Sequence, residues 1–185
     1  MSDSRVTGQS RTAFELLLDI DQRCRQHASR LPSHESQLQH WSGIGFRVGG
    51  HWYVAPMAEI SEVLPSPRCT LVPGVKPWMA GVANVRGRLL PVIDLCSFFG
   101  HERSSPSRQR RVLVVDQADL FVGLLVDEVL GLQHFVLQSL DAAHAADVDR
   151  QACAYLQGHF RRERAWAVFS PTLLINAPAF MDVAL

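Results

Sequence analysis

Between Val72 and Gly100 the chain reads VPGVKPWMAGVANVRGRLLPVIDLCSFFG, and no other stretch restricts the fold so tightly. Pro73-Gly74 marks a turn, and Gly81-Val82-Ala83-Asn84-Val85 is an extended run that Arg86-Gly87-Arg88 interrupts before a second β-prone run begins at Leu89. A glycine between two arginines, with apolar residues on both sides, predicts a tight reversal between two strands, because such turns need the φ > 0 that glycine accepts freely. Both arginines then stand at the tip. Asp94 is placed to cap a short helix over residues 95–99, with Gly100 in the position that ends it.

The rest of the chain reads mostly as strands. Phe14, Leu17, Leu18, Cys24, Ala28 and Leu31 do recur at helical spacing, after a Thr12/Glu15 capping box and before Pro32. They predict one amphipathic helix, which either packs on its own domain or docks on a partner. A polar start and a polar linker, residues 33–40, flank it. From Ile44 the period becomes two: Ile44, Phe46 and Val48 lead into Gly49-Gly50, and Trp52 and Val54 return as a second strand. Residues 57–64 fit either helix or strand. Residues 112–115, 120–126, 132–137, 155–161 and 165–169 read as strands, and Ser170-Pro171 opens a short helix. Residues 101–111, HERSSPSRQRR, form a polar, basic loop, residues 141–149 an Ala- and Asp-rich excursion, and residues 177–185 are apolar enough to pack. Many short strands with few helices predict an all-β architecture that closes on itself to hide its edges.

Composition removes several function classes. With 47% apolar and 19% charged residues and a net charge of zero, the chain suits neither general nucleic-acid binding nor an anionic membrane surface. Its first residues lack an apolar signal region and no run reaches the ~20 apolar residues of a membrane helix, which leads us to expect a cytoplasmic protein without membrane insertion. Cys24, Cys69, Cys96 and Cys153 form no C-x-x-C pair, and the eight histidines form no H-E-x-x-H or other close ligand pair. There is no G-x-S-x-G elbow, Walker A or Rossmann loop. Asp127 and Glu128, as neighbours in a strand, face opposite ways. The expectation is no catalysis, no cofactor and no metal. Surface recognition remains, with Arg86 as its first candidate: its planar fork either anchors the hairpin on an internal carboxylate such as Asp94 or meets a partner. Asn84 is suited to shaping the loop.

The segment Gly81 to Leu95 resembles the signature of the CheW-like family of chemotaxis coupling proteins, Gly-x-x-Asn-Leu-Arg-Gly-x-x-x-Pro-x-x-Asp-Leu, with Val85 as the one, conservative, departure. The resemblance runs from about Trp41 to Ile175, and residues 14–32 and 41–46 look like the PilI-type members that serve type IV pilus twitching systems. It implies a mainly β fold of two packed five-stranded, SH3-like barrels, the first holding most of residues 44–95 and the second the strands from Arg111 onward, with crossings at the ends. The implied domains are an N-terminal tail, helix and linker (1–40), the two-lobed body (41–178) and a C-terminal tail (179–185). Gly81, Gly87, Pro91 and Asp94 carry the structural motif. Arg86, Asn84 and Arg88 fall at positions implied to meet partners, as do Ile60 and Glu62 on a strand over residues 60–63, where Ile60 reads equally well as core.

The resemblance implies a non-enzymatic adaptor at membrane-associated receptor arrays, bridging the cytoplasmic tip of a methyl-accepting chemoreceptor and a CheA-type histidine kinase. The alternative is a stand-alone small-ligand sensor or regulatory domain, which a ligand-dependent rise in Tm would favour. Gly158-His159-Phe160-Arg161-Arg162-Glu163-Arg164 departs from the small and apolar residues usual at that place in the family, as Ser170-Pro171 does from its usual Asp or Asn cap.

Overall fold

The computed structural model of the chain describes residues 39–102, 108–117, 120–142 and 149–185. The amphipathic helix expected over residues 14–31 lies outside them, as does most of the excursion after Asp141. The chain divides between Gln37 and Leu38, and every described residue belongs to the second unit. No helix of the described residues is long and apolar enough to cross a membrane.

The described residues form eleven strands in chain order: β1 (His40–Val48), β2 (His51–Pro56), β3 (Glu62–Pro65), β4 (Met79–Val85), β5 (Arg88–Asp94), β6 (Arg111–Gln117), β7 (Leu120–Val126), β8 (Glu128–Val136), β9 (Leu140–Asp141), β10 (Leu156–Arg161) and β11 (Ala165–Phe169). Among the described residues three short helices accompany them: α1 (Leu95–Phe98), α2 (Pro171–Ile175) and α3 (Pro178–Met181). Gly49 and Gly50, at φ 58° and 87°, turn β1 into β2 as the dipeptide predicts. Residues 57–64 resolve into a 3-10 turn, Met57–Glu59, followed by a strand that starts only at Glu62. Ser61 joins the sheet through its N–H to the Val114 carbonyl at 2.8 Å, and Ile60 lies outside the strand.

One sheet has the order β8-β1-β2-β11-β10-β9 and the other β3-β6-β7-β5-β4. In each, a bent run of chain joins the two edges. β8 turns at Leu137–Ser139 into β9, which pairs with β10 at the far edge. The chain leaving β3 comes round to bridge Thr70 to Val82 on β4. Each lobe is thus five strands with one of them bent, a small closed barrel that leaves no long free edge.

The strands are shared out differently from the expectation. The hairpin of β1 and β2 lies with β8 to β11, and β6 and β7 lie with β3 to β5. The reason is in the pairing: β1 runs antiparallel to β8 from His40 to Arg47, and β2 lies parallel to β11 through Tyr53 and Val54. These non-local partners outweigh nearness in sequence. Asp127, the single residue between β7 and β8, is buried and accepts the Gly49 N–H at 2.9 Å, so the crossing point is pinned to the first hairpin.

The largest core fills the seam between the sheets. Phe46, Tyr53 and Phe169 from one lobe meet Ile93, Leu113 and Leu124 from the other. Inside the barrels lie smaller clusters, Leu90, Val92, Val112 and Val114 in one and Phe135, Phe160 and Trp166 in the other. This explains why β6 reads as an unbroken apolar run: Val112 and Val114 fill their own barrel while Leu113 and Val115 face the seam, so both faces are buried. Ser170 caps α2 by accepting the Leu173 N–H, with Pro171 at the first position. Glu59 adds a carboxylate to the same helix start, accepting from Thr172 N at 2.8 Å, Thr172 Oγ1 at 2.7 Å and Ser170 Oγ at 3.0 Å. The last residues pack, with Phe180 buried and stacked on Trp78 and with Ala184 bridged to Val75.

Candidate partner-binding site

The β4–β5 hairpin turns in two residues, Arg86 at φ 51° and Gly87 at φ 81°, the pattern of a type I′ turn. Arg86 is the one non-glycine residue with positive φ among the described residues. Asn84 Oδ1 accepts the Gly87 N–H at 2.9 Å and so braces the turn. Gly81, at φ 128°, serves a different need: a Cβ there would overlap the Thr70 carbonyl, and the bridge that closes the barrel would be lost. Pro91 sits opposite Val82, one residue before β5 begins to pair with β7 at Val92. At the far end of β5, Asp94 caps α1 by accepting from Cys96 N and Ser97 N, and Arg110 Nη2 donates to its other oxygen at 2.7 Å.

At the hairpin tip two ion pairs stand side by side. Arg86 Nη2 lies 2.6 Å from Glu62 Oε2 on β3, and Arg88 Nη1 lies 2.8 Å from Asp116 Oδ2 on β6. The Arg88 guanidinium also covers the Phe121 ring at 3.8 Å. With Ser61 and Val85 these residues line a shallow pocket of about 200 Å³. The Arg86 side chain is 77% exposed, and exposed pairs of this kind contribute only ~0–1 kcal/mol. Such a weak hold lets the guanidinium leave Glu62 at little cost.

The structure therefore brings Arg86, Arg88 and Glu62 together. Asn84 stands behind them as a brace, and Ile60 packs against the seam core instead of lining the pocket. The internal anchor considered for Arg86 was Asp94, but Arg110 reaches that buried carboxylate and Arg86 takes Glu62. Asp116, Phe121 and Arg110 were not singled out by sequence reasoning. The sequence makes Arg110 part of a polar, basic loop, although its side chain is only 14% exposed. Asp116 and Phe121 form a cross-strand pair on β6 and β7, a signal that only the register reveals.

The basic run Arg161 to Arg164 also finds a role. Arg164 lies over Trp52 at 4.0 Å and Arg162 over Phe135 at 4.4 Å, so the cations cover aromatic surface at the β10–β11 turn.

Residues 42–179 match the model of the CheW-like domain. The chain is 53% identical over 173 residues to the protein PilI of Pseudomonas aeruginosa, across 94% of this chain and 97% of that one. It is 33% identical over 85 residues to the chemotaxis protein CheW of Bacillus subtilis, across 46% of this chain and 54% of that one. In fold it is similar to the crystal structure of the scaffolding protein TtCheW from Thermoanaerobacter tengcongensis, with a TM-score of 0.65 at 21% identity over 76% of this chain and 96% of that one. The chain belongs to the CheW-like family, and within it to the PilI type.

Proposed function

We propose that this chain is a non-enzymatic adaptor that couples a methyl-accepting chemoreceptor to a CheA-type histidine kinase in the control of type IV pilus twitching. Its identity to PilI across nearly the whole of both chains supports the pathway. The observation that carries the coupling role is the exposed Arg86, held in a left-handed backbone conformation at the end of one lobe and paired, among the described residues, with Glu62. A fork-shaped donor on a rigid two-residue turn suits recognition of a protein surface, and Arg88, Asp116 and Phe121 give that surface a mixed charged and aromatic rim. One body with two interfaces would pass the receptor's state to the kinase as a shift in population, with the adaptor doing no chemistry.

The test is binding of the full-length chain to a purified CheA-type kinase and to the cytoplasmic fragment of a chemoreceptor from the same cell. The expected result is saturable binding to both, and receptor-dependent kinase activity that needs the adaptor. Absence of binding to either, with a small molecule raising Tm instead, would overturn the reading in favour of a sensor.

A further inference from the structure

Away from the hairpin, three side chains from distant parts of the chain meet. His51 opens β2, His101 follows α1, and Asp149 precedes the 3-10 turn Cys153–Tyr155. Each offers one ligand atom, and these atoms all lie within 4.8 Å of one another. His101 Nε2 is 2.6 Å from Asp149 Oδ2, and the His51 and His101 rings stack with centroids 5.3 Å apart.

The neighbours are arranged to hold these groups in place. Gly49 leaves the room that the His101 ring occupies, since a Cβ there would overlap the imidazole. Asp149 is buried and doubly oriented: the Tyr53 hydroxyl donates to Oδ2 at 2.9 Å and the Gln151 N–H to Oδ1 at 2.9 Å. Hydrogen bonds of this kind fix the direction in which a carboxylate faces a metal. None of the three residues takes part in the hairpin pocket.

We propose that His51, His101 and Asp149 bind a divalent transition metal of the borderline class, with Zn²⁺ as the natural occupant, and that the ion clips the two lobes together. Two imidazoles and one carboxylate are a donor set such ions accept at about 2.0–2.2 Å each, with a fourth position left for water or a partner's side chain. Ligands around one tetrahedral ion stand about 3.4 Å apart. To take that spacing the 2.6 Å His101–Asp149 contact must open and the His51 ring must turn toward the other two donors. The clip follows from where the ligands come from: His101 follows the helix that ends β5, in one sheet, while His51 and Asp149 belong to the chain of the other. Sequence spacing gave no sign of it, because only the docking of the lobes brings the ligands together. The inference is independent of the partner reading.

The experiment is a calorimetric titration of chelator-treated full-length protein with zinc chloride, with melting curves alongside and Co²⁺ as a spectroscopic probe. One equivalent should bind, Tm should rise, and Co²⁺ should show the visible absorption of a low-coordinate nitrogen and oxygen site. His51→Ala carries the test, since this half-buried side chain can be removed with least disturbance, and His101→Ala supports it. Each should weaken zinc binding by at least about tenfold, while the exposed His134, bonded to Ser42, can be changed to Ala without effect. Melting of each variant without metal checks that it folds. No one-to-one uptake, or uptake equal in wild type and both histidine variants, would overturn the proposal.

Discussion

Arg86→Asn separates stability from recognition at the hairpin. Two terms act on the fold. Loss of the 2.6 Å pair with Glu62 removes ~0–1 kcal/mol, because the arginine side chain is 77% exposed and the pair is screened. Against this, a left-handed conformation costs an ordinary L-residue roughly 1–2 kcal/mol, while asparagine visits it routinely and Asn-Gly is a favoured type I′ pair. The sum lies between zero and a gain of about 2 kcal/mol, a Tm that stays or rises by up to about 4–8 °C in a chain of this size. Partner binding moves the other way: without the guanidinium fork, affinity for the kinase or the receptor falls by about tenfold or more, equal to about 1.4 kcal/mol. Arg86→Lys restores it only in part, because an ammonium cannot donate two parallel hydrogen bonds. A melting curve and a binding isotherm on the same variant decide the matter. A Tm lowered by more than about 4 °C with unchanged affinity would refute the reasoning and make Arg86 an internal staple.

Three further outcomes can be checked by melting. Gly81→Ala and Gly87→Ala both place a Cβ at positive φ, yet only the first meets a backbone oxygen, so Gly87→Ala costs about 1 kcal/mol and Gly81→Ala of the order of 3 kcal/mol. Glu59→Gln removes the charge that takes three hydrogen bonds at the start of α2 and lowers stability by about 1–2 kcal/mol with no effect on the hairpin pocket. Burial opposes ionisation of Asp149, but hydrogen bonds from His101, the Gln151 N–H and Tyr53 outweigh it and hold the carboxyl below the usual range. Its contribution is therefore present above the ordinary value of about 3.9 and is lost as pH falls through the lower folded value. Asp149→Asn, in chelator-treated protein, is less stable at neutral pH and shows a flatter acid limb.

The elements that local chemistry dictates were legible in the sequence. Gly87 between two arginines specified the turn, Asp94 the cap of α1, and Ser170-Pro171 the start of α2. What could not be read was pairing at a distance. Ile44, Phe46 and Val48 show that β1 has a buried face, but nothing local says that its second neighbour is β8 and not β3. The same gap left Arg86 without its partner, since Glu62 reaches it only through the curl of the barrel. It also made Arg110 look solvated, because a basic loop reads alike whether or not one of its side chains turns in to a buried aspartate. The resemblance to a family supplied the two lobes, yet assigned β1, β2, β6 and β7 to the wrong ones; register decided that.

The β3–β7 lobe is one unbroken run of chain, while the strands of the other lobe lie on both sides of it. For a chain emerging from the ribosome this sets an order of events. β1 and β2 arrive first but have only each other, since β8 and β11 have not yet been made. The middle lobe has all its strands once Val126 is out, and its folding draws the exit of β2 close to the entry of β8, so that a long loop closure becomes a short one. Asp127 is then at hand to take the Gly49 N–H and set the register of β8 on β1. Until Phe169 arrives with β11, Phe46 and Tyr53 lack one of the rings they pack against, and one side of β2 stays unpaired. That interval is when the nascent chain is most exposed to misassembly, and the last strand to be made is the one that ends it.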